Sequence, residues 1–240
     1  MRFRRQSGFT LIEAMVVVAI IGILAAIGVA ALTSARERGA AENAANDLVS
    51  QLNAARTRAA ERGVPVWFIV YPDLKREGGA GGAGAYFVYE DTELAFATSG
   101  AGAVGTRRYD TFSPPDDIQA APGDPGRLVE SIYLESYSNR QGVSFGVASG
   151  LSFAAPFDGL DATFTSSGAC NFCSGTPLRG AIVFMPEGSV RFVDGSGTAV
   201  LQGGATRAAR TGGLKLRGAN ADQGYLYAVS GPTGFIGFFK

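Results

Sequence analysis

The amino-acid sequence predicts an α+β protein in which one long N-terminal helix packs on a C-terminal domain of antiparallel β-sheet. Residues 14–32 contain no charged side chain. Residues 34–62 then repeat apolar side chains at helical spacing. After Pro65 the pattern changes to short runs rich in β-branched and aromatic residues, separated by Gly, Pro and Asp. A long helix followed by antiparallel strands accounts for all three patterns.

The N-terminal segment combines a basic start with an apolar run long enough to cross a membrane. Arginines among the first eight residues place the N-terminus in the cytoplasm by the positive-inside rule. As a helix, residues 14–32 would span about 28 Å, close to the hydrocarbon thickness of a bilayer. Extending the helix back to Phe9 includes Glu13, and a carboxylate in such a segment costs about 3 kcal/mol. Glu13 therefore needs a partner.

Three interpretations of this segment compete. A secretory signal peptide would have the basic start and a cleavage site at Gly28-Val29-Ala30, but its apolar region is usually shorter. A plain transmembrane anchor accounts for the length and leaves Glu13 unexplained. The third interpretation rests on the string GFTLIE, from Gly8 to Glu13, which directly precedes the uncharged run.

This string resembles the class III signal of type IV prepilins, a short basic leader ending in Gly, followed by Phe and by Glu at the fifth mature position. The resemblance implies that prepilin peptidase cuts after Gly8 and methylates the new amine of Phe9, while the apolar run remains as the anchor. In a filament, Glu13 would pair with the Phe9 amine of a neighbouring subunit. A neighbouring subunit in the wrong register would leave a buried charge unpaired, which is energetically costly. Glu13 is therefore predicted to be an assembly residue.

The helix is predicted to continue past the membrane as one element. Gly63 and Pro65 would stop it, and two helices broken near Gly39 are the alternative. The predicted segments are a leader (1–8), the long helix (9–62, with 9–33 transmembrane) and a periplasmic β-rich domain (63–240).

Eight runs in the domain have the composition of β-strands. Residues 186–189 (PEGS) form a good hairpin turn between two of them. The predicted strands are residues 66–71, 86–89, 129–134, 143–147, 181–185, 190–193, 225–229 and 235–239. Long loops are predicted at residues 78–84, 99–126 and 195–223.

The strand directly after the helix and the hairpin at residues 182–192 (IVFMPEGSVRF) resemble the GspH/FimT family of minor pseudopilins and minor pilins. Residues 227–230 (YAVS) and the last strand also fit that family. The resemblance is strong in the N-terminal third and extends to the C-terminal hairpins, but it does not cover residues 72–178.

The resemblance implies a minor subunit that primes assembly and recognises partners. It would be a GspH-like subunit of a type II secretion pseudopilus, or alternatively a FimT-like minor type IV pilin acting in pilus assembly or DNA uptake. The implied partners are other pseudopilins or pilins in a filament tip, prepilin peptidase and the inner-membrane assembly platform. The implied location is the bacterial inner membrane, with one span and a periplasmic domain.

Composition argues against an enzyme. The chain has no histidine, which removes the commonest general base and neutral metal ligand. Lys and Arg together number 21, as do Asp and Glu, so the chain is not a polycation. No cofactor is predicted. Five acids could each ligate calcium, but no metal site is predicted, because no D-x-D-x-D-G loop occurs. Those acids are Asp116, Asp117, Asp158, Asp161 and Asp194.

Cys170 and Cys173 are the two cysteines of the chain. A C-x-x-C pair could be a redox motif, but no thioredoxin-like βαβ pattern surrounds it. Beyond the inner membrane, a disulfide that closes this Gly- and Ser-rich loop is the preferred interpretation.

Basic residues cluster without an acid late in the chain. Because FimT-like pilins are associated with DNA capture, this glycine-spaced loop is a candidate non-specific phosphate contact. A solvated loop or a contact between subunits is the competing interpretation. The residues are Arg207, Arg210, Lys215 and Arg217.

Overall fold

The computed structural model shows one long helix packed against two antiparallel sheets, with a short β-ribbon at the side. This is the predicted α+β fold, and it is consistent with a pilin-like architecture. The structure describes residues 11–92, 109, 112, 114, 127–137, 142–147, 149–164, 168–202, 207–208, 211–219 and 223–240.

Helix α1 (Leu11–Arg62) is one continuous element of 52 residues, which makes it about 78 Å long. The alternative of a break near Gly39 is therefore wrong. At the C-terminal end, Gly63 adopts a φ of +68°, and its N–H donates to the carbonyl oxygen of Ala59 at 3.0 Å. This glycine ends the helix where the sequence predicted.

The second half of α1 buries one face against the sheets. Two leucines fill this face, and small alanines let the strands approach the helix closely. The buried positions recur every three or four residues, which is the spacing of one helical face. They are Ala41, Ala44, Ala45, Leu48, Leu52, Ala55 and Ala59.

All strand pairs are antiparallel. One sheet has the order β3-β2-β1-β5-β6, the other has the order β11-β10-β9-β4, and β7 pairs with β8 in the ribbon. The strands are β1 (Val66–Tyr71), β2 (Ala85–Glu90), β3 (Arg127–Tyr133), β4 (Ser144–Phe145), β5 (Gly180–Phe184), β6 (Val190–Val193), β7 (Leu201–Gln202), β8 (Arg207–Ala208), β9 (Thr211–Arg217), β10 (Gly224–Ser230) and β11 (Ile236–Phe239).

Each predicted strand has a counterpart, and β1 and β6 have the predicted bounds. The predicted hairpin turn joins β5 to β6, with the Met185 N–H donating to the Ser189 carbonyl oxygen at 2.9 Å. Strands β3 and β4 end earlier than predicted. Leu134 belongs to a 3₁₀ helix (Leu134–Tyr137), and β4 ends before Gly146, whose φ of +146° turns the chain away.

The prediction of a loop over residues 195–223 is wrong, because β7, β8 and the seven-residue β9 lie within it. Its glycines indicated a turn, but Gly212 and Gly213 are buried in β9. The ring of Phe192 lies against Gly212, and a Cβ on Gly213 would meet Leu160 and Phe164 at 2.8 Å. Side chains on both sides pack directly on this backbone, so the glycines serve sheet packing.

Among the residues that the structure describes, buried side chains form three clusters. The largest lies between α1 and the faces of both sheets that meet it. A second lies on the far face of the first sheet, where Tyr109 and Phe112 pack over Trp67, Ile69 and Phe87. The third lies on the far face of the second sheet, beneath the segment that contains the 3₁₀ helix Asp158–Thr163. The antiparallel β-sheet of the domain is thus divided into two sheets that share one helix.

Candidate functional site

The N-terminal half of α1 stands clear of the domain. Its large apolar side chains are exposed from Leu11 to Leu32. Within the described part of the chain, α1 is the helix that is long and apolar enough to cross a membrane. Because none of its most apolar stretch is buried in the domain, this half of α1 is available to lipid or to other helices.

Glu13 lies in the first turn of α1, and its side chain is exposed. The positive end of the helix dipole favours a carboxylate there. Gly8 and Phe9, the predicted cleavage and methylation positions, lie outside the described residues. The pairing of Glu13 with a neighbour's Phe9 amine therefore stays a prediction.

Polar contacts hold one end of the domain, the end nearer the apolar half of α1, against the helix. Lys240, the last residue, donates from Nζ to Glu42 Oε1 at 2.7 Å, and this hydrogen bond lowers the pKa of Glu42. Tyr137 donates from its hydroxyl to Asp47 Oδ2 at 2.7 Å. Since these residues follow the apolar half of α1 most closely, this is the membrane-proximal end of the domain.

Other contacts hold the opposite end of the domain against α1. Arg58 pairs with Glu90 at 2.8 Å at the end of β2, and Arg56 donates to the carbonyl oxygen of Thr233 at 3.1 Å. Arg56 lies fourteen residues beyond Glu42, which is about 21 Å along the helix. The turn between β10 and β11 therefore marks the membrane-distal end of the domain.

Cys170 and Cys173 are joined by a disulfide, and both are buried. Between them, Asn171 accepts a hydrogen bond at Oδ1 from the Gly213 N–H at 2.8 Å and donates from Nδ2 to Thr163 Oγ1 at 2.9 Å. The closed turn thus joins β9 to the 3₁₀ helix Asp158–Thr163. This arrangement is structural, because the sulfur atoms are enclosed in the core.

Replacing both cysteines by serine is expected to lower the free energy of unfolding by about 2 kcal/mol, because a four-residue loop is no longer closed in the unfolded chain. Urea unfolding of the purified chain in detergent, with the wild type as control, measures the difference. Two free thiols in the non-reduced wild-type protein would reject the bridge.

Lys215 lies in β9, where it is 6% exposed, and not in an exposed loop as predicted. Its Nζ lies 2.6 Å from Asp161 Oδ1, and it lies 4.3 Å from the centre of the Phe164 ring. Asp161 also accepts a hydrogen bond at Oδ2 from the Phe153 N–H at 2.8 Å. The ion pair ties the covering segment to the second sheet and leaves Lys215 enclosed.

The stability of the fold is expected to fall in acid through Asp161. Burial alone would raise the pKa of Asp161, but hydrogen bonds from Lys215 and the Phe153 N–H outweigh it and lower that pKa. The carboxylate therefore stabilises the fold above its unfolded pKa of about 3.9, and this contribution is lost as the pH falls through the lower folded pKa.

The melting temperature of Asp161→Asn should therefore lie below that of the wild type at pH 6, with the difference shrinking below about pH 4. Asp158→Asn, an exposed change in the same 3₁₀ helix, is the matched control. A difference that does not change between pH 6 and pH 3 would contradict the assignment.

The remaining basic candidates are less constrained. Arg217 is exposed at the end of β9, and its Nε donates to Ser144 Oγ at 2.8 Å. Arg207 lies in β8, but its side chain and the whole of Arg210 lie outside the described residues. The structure thus removes Lys215 from the four basic residues that were predicted to contact phosphate.

Two of the candidate calcium-binding acids are engaged by other groups of the domain. Asp161 is bound to Lys215, and Asp194 Oδ1 accepts hydrogen bonds from the backbone N–H groups of Ser196 and Thr198, each at 2.9 Å. Asp116 and Asp117 lie outside the described residues. In the portion that is described, no three metal-ligating side chains of the His, Cys, Asp and Glu types come together.

Sequence reasoning missed the role of Arg179. Its buried guanidinium donates to the carbonyl oxygens of Tyr109, Phe112 and Gly195, and to the Tyr71 hydroxyl. It thereby holds Tyr109 and Phe112 on the first sheet. An arginine next to the apolar strand β5 was the available signal, but its partners are too distant in sequence to be predicted.

Comparison with known proteins agrees with the N-terminal prediction. Residues 3–29 match the family model described as prokaryotic N-terminal methylation motif. Over 54 residues the chain is 48% identical to the Type II secretion system core protein G of Aeromonas hydrophila, which covers 22% of this chain and 38% of that protein. No solved structure matches the chain. The N-terminal motif and the long helix on antiparallel sheets together support a type IV pilin-like protein.

Proposed function

We propose that the chain is a minor pseudopilin of a type II secretion system, a GspH-like structural subunit that primes assembly of the pseudopilus. The observation that carries this proposal is the continuity of α1. One helix contains residues 11–29 of the methylation motif together with the apolar span, and one face of its other half is buried in the domain core. Removing the apolar half as a signal peptide would cut through an element that continues into the fold.

The similarity to a type II secretion protein favours that machine over a type IV pilus. A minor subunit is favoured because the similarity covers only 54 residues, which leaves most of this chain without a counterpart in the core protein. The chain would be cleaved after Gly8, retained in the inner membrane, and extracted into a filament with its domain in the periplasm. Prepilin peptidase, the assembly platform and other pilin-like subunits would be its partners, and it would catalyse no reaction itself.

A clean deletion strain tests this function. Loss of exoprotein secretion with normal pili, twitching and DNA uptake is the expected result, with the complemented strain as control. Loss of pili or of transformation with normal secretion would instead make the chain a minor type IV pilin.

Fewer basic residues are available for the DNA-uptake alternative than the sequence suggested, because Lys215 is enclosed with Asp161. Arg217 is the exposed basic candidate whose side chain is described. Salt-dependent binding of the purified chain to duplex DNA, weakened in Arg217→Ala, would support the alternative. If the purified chain did not bind duplex DNA at low salt, the DNA-uptake alternative would be rejected.

A further inference from the structure

A pocket opens beside the end of β1, where the chain enters the loop that leads to β2. Its volume is about 350 Å³, which is near the lower end of the range for small-ligand sites. Buried Tyr71, Leu74 and Pro114 line its inner part. Exposed Ala80 and Pro177 line the side that solvent reaches, so a ligand can enter there. Most of the lining is therefore apolar.

The inner part of the pocket is built around Tyr71. Its hydroxyl donates to the carbonyl oxygen of Phe112 at 3.0 Å and accepts a hydrogen bond from Arg179 Nη1 at 3.2 Å. These two bonds hold the ring in place before any ligand binds, and they leave the ring, not the hydroxyl, to contact a ligand. The carbonyl oxygens of Tyr109, Phe112 and Gly195 accept the other Arg179 hydrogen bonds and so compensate part of its charge.

Asp73 is the one acidic residue among those described at the pocket, and its side chain is half-buried. Within the described part of the chain its carboxylate makes no hydrogen bond or ion pair, and its backbone oxygen accepts from the Gly82 N–H at 2.7 Å. Lys75, the nearest cation along the chain, lies against Gly81, where a Cβ would meet Lys75 Cε at 3.6 Å. The carboxylate has therefore lost part of its hydration without compensation. A cation that enters the pocket would supply it.

We propose that this pocket binds a small organic ammonium ion, whose charge pairs with Asp73 and whose apolar body packs on Tyr71 and Pro114. A carboxylate beside an aromatic ring attracts organic cations through a charge-assisted hydrogen bond and a cation–π contact. One carboxylate is too few for a calcium ion, which takes several oxygen ligands. Because the walls are apolar, a body about as wide as a ring covers them better than the methylene chain of a lysine. This binding role is additional to the proposed role in assembly.

Fluorine NMR of para-fluorobenzylammonium, titrated with the purified full-length chain in detergent, tests the inference against a blank of detergent alone. Saturable binding to the wild type is expected, and Asp73→Asn should weaken it at least about tenfold, because the variant keeps the shape and loses the charge. Glu77→Gln, an exposed change in the same loop, is the matched control and should bind as the wild type does. Ala80→Leu narrows the entrance and should also weaken binding. The uncharged probe para-fluorobenzyl alcohol should bind more weakly than the ammonium.

The melting temperature of Asp73→Asn should equal that of the wild type, since the change breaks no contact of the carboxylate. Absence of saturable binding to the wild type, equal binding to Asp73→Asn, or equal binding of the alcohol would each overturn the inference. Tighter binding of acetyl-lysine methylamide than of the probe would also overturn it, because the site would then suit a polypeptide side chain. None of these results bears on the proposed function, which the deletion strain tests separately.

Discussion

Replacing Glu13 by alanine is expected to lower incorporation of the chain into filaments at least about tenfold, while its amount in the membrane stays unchanged. The variant removes the carboxylate that would pair with a neighbour's Phe9 amine, and truncating one partner of a buried ion pair typically costs about 3–5 kcal/mol. Since about 1.4 kcal/mol is a factor of ten, even partial burial gives this effect. Quantitative immunoblotting of sheared filaments against whole membranes measures the ratio.

Glu37→Ala is the matched control, because Glu37 is a partly exposed acid of the same helix beyond the apolar run. It should enter filaments as the wild type does. Glu13→Asp keeps the charge with a shorter reach and should give an intermediate ratio. Incorporation of Glu13→Ala at wild-type stoichiometry would remove Glu13 from the assembly mechanism.

Leu48→Ala is expected to lower the free energy of unfolding of the domain by about 3 kcal/mol. Leu48 is fully buried at the centre of the helix face that both sheets cover, so the change loses apolar burial and leaves a cavity. Thermal unfolding of the purified full-length chain in detergent, followed by near-UV circular dichroism, measures the loss.

Ser50→Ala, an exposed position two residues along the same helix, should change stability by less than about 0.5 kcal/mol. If Leu48→Ala lowered the free energy of unfolding as little as Ser50→Ala does, the second half of α1 would not be part of the domain core. The continuity argument for the proposed function would then fail.

The elements that local pattern dictates were predictable. The helix end at Gly63, strand β1 and the hairpin turn at Gly188 all follow from nearby residues with strong preferences. The N-terminal motif was equally readable, because its signal lies in consecutive residues. These features depend on little that is distant in the chain.

The elements that distant partners decide were not predictable. Gly212 and Gly213 predict a loop by local preference, yet rings from Phe192 and Phe164 pack on them and make them part of a strand. Lys215 between two leucines indicated an exposed cation, because its partner Asp161 lies 54 residues away. Tertiary packing overrides local preference at each of these positions.

The resemblance to pilin-like proteins is confirmed, whereas the narrower GspH/FimT assignment stays a proposal.

The N-terminus of the mature chain tests the central claim most directly. Intact-mass and fragment-ion spectra of the chain purified from its own membranes should show a polypeptide that begins at N-methylated Phe9 and retains the whole apolar half of α1. A Gly8→Leu variant should retain Met1 and accumulate in the membrane. A mature wild-type chain beginning at Met1, or beginning after Ala30 as a secretory signal peptide predicts, would contradict a pilin-like subunit.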